Sequence, residues 1–165
     1  MAPLAQMFRG LLAYTIWADR QILQALASPP EEDLVRETGT SFGSVLGTMA
    51  HILDSEQVWL ARLLGTPDSA LPGPPEVVDL GSLQSGFEDH WSQMEVYLAS
   101  LDEPQTERDL DWTDSAGEPR SAPYRKVLLH LVAHASYHRG QVVAQLRQLG
   151  WPAPSTDLVR WPGAL

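Results

Sequence analysis

Four stretches of the chain repeat their apolar residues at the spacing of an α-helix. In the first, about residues 4 to 27, Leu4, Phe8, Leu11, Leu12, Thr15, Ala18, Ile22 and Leu26 fall on one face, and Pro29-Pro30 closes it. The second follows a Gly39-Thr40-Ser41 turn, with Ser41 as the expected N-cap. Its seam is Val45, Met49, Ile52, Trp59 and Leu63, and Gly65-Thr66-Pro67 stops it. The third, about 80 to 101, keeps Leu83, Phe87, His90, Met94, Tyr97 and Leu101 in register. The fourth starts from Ser121 as cap, with Pro123 in its first turn. It carries Val127, Leu128, Leu131, Ala135, Val142 and Leu146 to about Leu149, where Gly150 is the expected stop.

The segments between these helices are punctuated differently. Residues 66 to 79 hold four prolines and read as a long surface connection. Such a segment can travel the length of a bundle and leave the second and third helices parallel. Leu110 to Arg120 reads as a short hairpin around Ser115-Ala116-Gly117. The tail, with Pro152, Pro154 and Pro162 beside Trp151 and Trp161, is expected to lie irregularly over the helices. The pattern predicts an all-α four-helix bundle, with residues 1–165 as one domain.

Composition narrows the function. The chain has 165 residues, 44% of them apolar, enough for a real core. Its 21 acidic and 11 basic residues give a net charge of −10, and no basic cluster interrupts them. Binding to nucleic acid or to an anionic membrane is therefore not expected. There is no cysteine, which removes disulfides, thiolate ligands and a cysteine nucleophile together. Any metal must take nitrogen or oxygen donors. No apolar run approaches a membrane span, and the first ten residues lack the pattern of a signal peptide, so a cytoplasmic protein is expected.

The chemistry concentrates in the fourth helix, where His130, His134 and His138 follow at i, i+4 and i+8. His134 and His138 face the same way and can close on one ion. His130 and His138 lie about 12 Å apart along the axis, too far to share it. A third ligand must come from another helix. His51 is one candidate, beside the small polar residues Ser44, Thr48 and Ser55; His90, on the core seam of the third helix, is the other. Periodicity does not choose between them.

His138 also falls on the apolar seam, so its imidazole needs a partner on each ring nitrogen. Gln141, on the same stripe, is the expected hydrogen-bonding support, and His130 is expected as a polar contact one turn away. Gly140 is expected to admit a close helix or a bulky neighbour. Trp59, Trp91 and Trp112 read as core or interface residues.

At these residues the chain resembles the DinB/YfiT-like family of metal-binding four-helix bundles. Tyr14-Thr-Ile-Trp17-Ala18-Asp-Arg is similar to the family's first-helix pattern, and Ser41 to Leu53 to its second helix around His51. Ala133-His134-Ala-Ser-Tyr-His138-Arg139-Gly140-Gln141 resembles its most recognisable motif. The resemblance implies His51, His134 and His138 as metal ligands, parallel middle helices, and often a homodimer; for three imidazoles zinc or nickel is the expected ion. Tyr137 stands where some members carry a further histidine.

Three imidazoles leave a coordination position open, which marks a reactive rather than a structural site. Characterised relatives include transferases of low-molecular-weight thiols such as bacillithiol, and a mycothiol-dependent isomerase. The resemblance thus implies a metal-dependent thiol S-transferase with a small-molecule substrate. A metal-dependent hydrolase is the alternative, with Asp54 or Glu56 as general base. A non-catalytic, stress-related metal-binding or interaction protein is a third reading. Arg139 is expected either as an anchor for a cosubstrate carboxylate or as a surface arginine.

Overall fold

A computed structural model describes residues 3–66 and 79–165. Among these residues six α-helices and one two-stranded hairpin follow in order: α1 (Leu4–Leu26), α2 (Glu31–Leu34), α3 (Val45–Leu63), α4 (Leu80–Ser100), α5 (Glu103–Glu107), β1 (Asp109–Thr113), β2 (Pro119–Pro123) and α6 (Tyr124–Gln148). The four long helices are those the periodicity predicts. Their seams meet in one core in which Phe8, Ile22, Met49, Ile52, Phe87, Leu128, Ala135 and Val142 are at most 1% exposed.

Helix directions follow from which residues meet. On α3 and α4, Leu53 lies against Gly86, Glu56 bonds His90, and Leu60 shares a cleft with Gln93. The numbers climb together, so these two helices are parallel. On α3 and α6 they run oppositely: Thr48 bonds Gln145, His51 meets His138, and Trp59 meets His130. On α1 and α4, Arg20 reaches Glu95 and Trp91, while Gln24 shares a cleft with Gln84. The bundle is therefore up-down-down-up. The long connection predicted between α3 and α4 falls on residues 67–78, outside the described residues.

Local signals explain most of the ends. Ser44, not Ser41, caps α3: its hydroxyl accepts from the Gly47 amide. Residues 40 to 43 are first consumed by a tight turn, closed by a Gly43 N–H to Thr40 C=O bond, with Gly43 at φ +73°. Ser121 likewise is not a cap. It pairs with Asp111 within the hairpin, and the cap position of α6 falls to Pro123. The hairpin turns at Gly117 (φ +82°), as its sequence predicts.

Two short helices have sequence signals of their own. Asp102 and Gln105 form a reciprocal capping box at the start of α5. Three acids, Glu31, Glu32 and Asp33, fill the first turn of α2. From α5, the Glu103 carboxylate accepts the first two amides of α1, Leu4 and Ala5, both at 2.9 Å. The tail crosses the bundle, pinned where Trp151 donates to Asp33 and Tyr14 donates to the Thr156 carbonyl. Its one regular turn is a 3₁₀ segment at Leu158–Arg160.

Candidate metal centre

The antiparallel packing of α3 on α6 brings His51 beside His134 and His138. One ring nitrogen from each lies within 4.8 Å of the other two, and His51 Nε2 stands 3.2 Å from His134 Nε2. Two bonds of about 2.1 Å meeting at a tetrahedral angle place their donors roughly 3.4 Å apart. The trio thus has the spacing and the donor chemistry to hold a divalent ion. Among the described residues, no carboxylate belongs to this group.

Two of the rings, His51 and His134, are held neutral, and all three are oriented by neighbours. Burial pushes the His134 pKa down to about 4, reinforced by His138, His51 and His130. Burial lowers His51 too, with a contribution from His138 and a partial offset from Asp54. Neutral imidazoles offer lone pairs, which is the state a metal requires. His138 is 8% exposed, and its Nδ1–H donates to Gln141 Oε1 at 2.8 Å. That bond fixes the tautomer and turns Nε2 toward the other two rings.

Phe42 supplies the third support. Its ring stacks on His51 at 3.8 Å and 14° and meets His138 edge-on at 5.4 Å. The stacking depends on Gly47, because a Cβ there would lie 2.1 Å from the Phe42 carbonyl oxygen. Only glycine lets the Phe42 backbone sit on the first turn of α3. Periodicity could not find Phe42, which lies in a turn before the helix.

Several sequence expectations are revised at this point. Of the small polar residues beside His51, Thr48 is fully buried, its one hydroxyl proton shared between Gln145 Oε1 and the Ser44 carbonyl, while Ser44 and Ser55 are half-buried. His90 lies in the core, 1% exposed, with Nε2 3.1 Å from Glu56 Oε2. Glu56 is thereby withdrawn from any role as general base at the histidine cluster. His130 is exposed, its ring beside His134 and edge-on to Trp59. Gly140 meets nothing: a Cβ there has open space around it.

Arg139 is neither anchor nor surface residue. It is 1% exposed, donating to Asp19 at 2.9 Å and to the Ser136 hydroxyl at 3.0 Å. Burial and the nearby Glu56 charge raise the Asp19 pKa well above the ordinary carboxylate range, outweighing Arg139. This pair ties α1 to α6 one residue beyond His138.

The DinB family model matches residues 5–163. This chain belongs to the DinB family. The DinB protein of Bacillus subtilis (strain 168) is 27% identical over 152 residues, covering 89% of this chain and 88% of that one. Among solved structures, a DinB-like protein from Bacillus cereus ATCC 10987 superposes with a TM-score of 0.72 at 18% identity, covering 94% of this chain and 99% of its own. The DinB-like protein YjoA of Bacillus subtilis gives 0.61, also at 18% identity, covering 93% and 96%. These likenesses establish the fold. Among the described residues, no helix of this DinB member is long and apolar enough to cross a membrane.

Proposed function

We propose that this DinB-family chain is a metal-dependent thiol S-transferase that joins a low-molecular-weight thiol of the bacillithiol type to a small electrophile. The observation that carries the reading is the cluster of His51, His134 and His138, three imidazoles with, among the described residues, no carboxylate in the group. A divalent ion there, zinc or nickel, would supply the positive charge that keeps a thiol ionised near neutral pH. The ligands are all uncharged, so the ion's full charge acts on whatever fills its remaining position. The chain has no cysteine, and the sulfur arrives with the cosubstrate.

The residues divide the work. His51 and His134 converge from α3 and α6, Gln141 holds the His138 tautomer, and Phe42 fixes the plane of His51. In the reaction a C–S bond forms as the bond to the leaving group breaks. The leaving group takes the bonding pair, and the thiol proton passes to solvent. The hydrolase alternative loses Glu56 to the core. It keeps only Asp54, half-buried near His51, as an acid on α3 for the base.

The first test is metal content of untagged protein by inductively coupled plasma mass spectrometry. About one zinc or nickel per chain is expected, lost in His51→Ala and His134→Ala. Metal-loaded protein should then conjugate monochlorobimane with bacillithiol, mycothiol or glutathione, and His134→Ala should not. Full metal occupancy with no conjugation for any of the three thiols would overturn the transferase reading. A homodimer is part of the proposal, checked by sedimentation.

A further inference from the structure

Beyond His134 the aromatic rings do not stop. His130 stands 5.5 Å from His134 between ring centres, Trp59 5.2 Å from His130, and Trp112 5.3 Å from Trp59. The last two steps are edge-to-face, at 68° each. The residues come from three elements: Trp59 from α3, Trp112 from β1 and His130 from α6. None is fully buried; His130 is exposed and both tryptophans are half-buried. At the far end the Arg62 guanidinium lies 4.5 Å above Trp59 and 5.7 Å from Trp112, holding both rings in place. A solvent-reached strip of rings thus leads directly from one of the three clustered histidines.

We infer that Trp59, Trp112 and His130 form the binding surface for the electrophile, and that they select a planar aromatic one. The inference rests on the transferase reading above and adds the class of its second substrate. Large half-exposed rings retain unspent apolar area, and they favour another ring set edge-on or offset against them. The strip's two steps from His134 to Trp59, each a little over 5 Å, suit a one- or two-ring group against Trp59 with its reactive carbon near the histidine cluster. In the conjugation, sulfur bonds to the electrophilic carbon, the leaving group departs with its bonding pair, and the thiol proton goes to solvent.

A structural role for the same rings, pinning the hairpin to α3, makes a different prediction, so the test separates the two. With metal-loaded protein and bacillithiol, KM for monochlorobimane should rise about tenfold in Trp59→Ala and in Trp112→Ala, the order expected for one lost aromatic contact. KM for bacillithiol and for the small aliphatic electrophile iodoacetamide should not move, and Trp112→Phe should restore the wild-type value. Equal changes for both electrophiles, or none, would overturn the assignment. If the alanine variants fail to fold, nuclear magnetic resonance of the wild-type protein decides. Adding an unreactive methyl-substituted bimane should shift the indole N–H signals of Trp59 and Trp112. Shifted indoles without any conjugation would leave the surface standing and remove the reaction. Conjugation with unmoved indoles would do the reverse.

Discussion

Gln141 Oε1 accepts the proton of His138 Nδ1 at 2.8 Å, three residues along the same helix, and leaves Nε2 as the nitrogen turned toward His51 and His134. Removing that acceptor frees the ring to adopt the other tautomer or to rotate. Gln141→Leu should weaken zinc affinity by roughly 10- to 100-fold, the usual range for a group that orients a ligating histidine. Gln141→Glu, which accepts the same hydrogen bond with a charge, should keep or raise it. Competition with a zinc chelator checks both, and equal affinities in Gln141→Leu and wild type would contradict the assigned role.

Gly47 should tolerate no side chain. With its Cβ only 2.1 Å from the Phe42 carbonyl, Gly47→Ala must push the turn away from α3 and carry the Phe42 ring off His51. A loss of about 2 kcal/mol in unfolding free energy is expected, within the range for overpacking a tight contact. Urea denaturation measures it, and weaker metal binding should accompany it.

Gly140 should behave in the opposite way. Its Cβ site is empty, and glycine within α6 carries the backbone-entropy cost without a packing reason. Gly140→Ala should stabilise the fold by about 1 kcal/mol, seen as a higher urea midpoint at unchanged slope. Metal stoichiometry should stay as in the wild type.

Two groups set opposite pH trends in the apoprotein. His134 has its pKa lowered to about 4 in the folded state, against 6.5 in an unfolded chain. The fold then binds fewer protons than the unfolded chain, and stability rises with pH across that window. Its ring proton resonance should reach the midpoint of its titration at about pH 4. Asp19 works the other way. With its pKa raised above 3.8 in the fold, its contribution is complete at lower pH and is lost as pH climbs through the folded value. Subtracting the stability profile of Asp19→Asn from that of wild type should isolate a term that falls with pH. A flat difference would show that folding does not shift the Asp19 pKa.

Much of this was readable from residue order, and the gaps have physical causes. The four long helices announce themselves because each buries a stripe at the 3.6-residue period. The spacing of His134 and His138 says directly that they share a face. The choice between His51 and His90 is not a local property. Both sit on helices beside the core, and only packing shows that His90 meets Glu56 while His51 meets α6. Arg139 misleads for the same reason, since its partner Asp19 lies 120 positions away. Ser41 and Ser121 carry cap chemistry, but a tight turn and a strand pairing claim those positions first. The Asp102 to Gln105 box, by contrast, was a legible start signal for a helix too short to show a period.

His51 and His134 stand 83 positions apart. An ion gripped by both would close about half the polypeptide into a ring, and α3 could not leave α6 without releasing it. The grip would add to the free energy of the fold in proportion to the logarithm of free metal, by mass action. Shortage of the ion would then do more than idle the site. It would raise the fraction of chains open to proteases, so that the amount of protein in a cell would follow the metal supply.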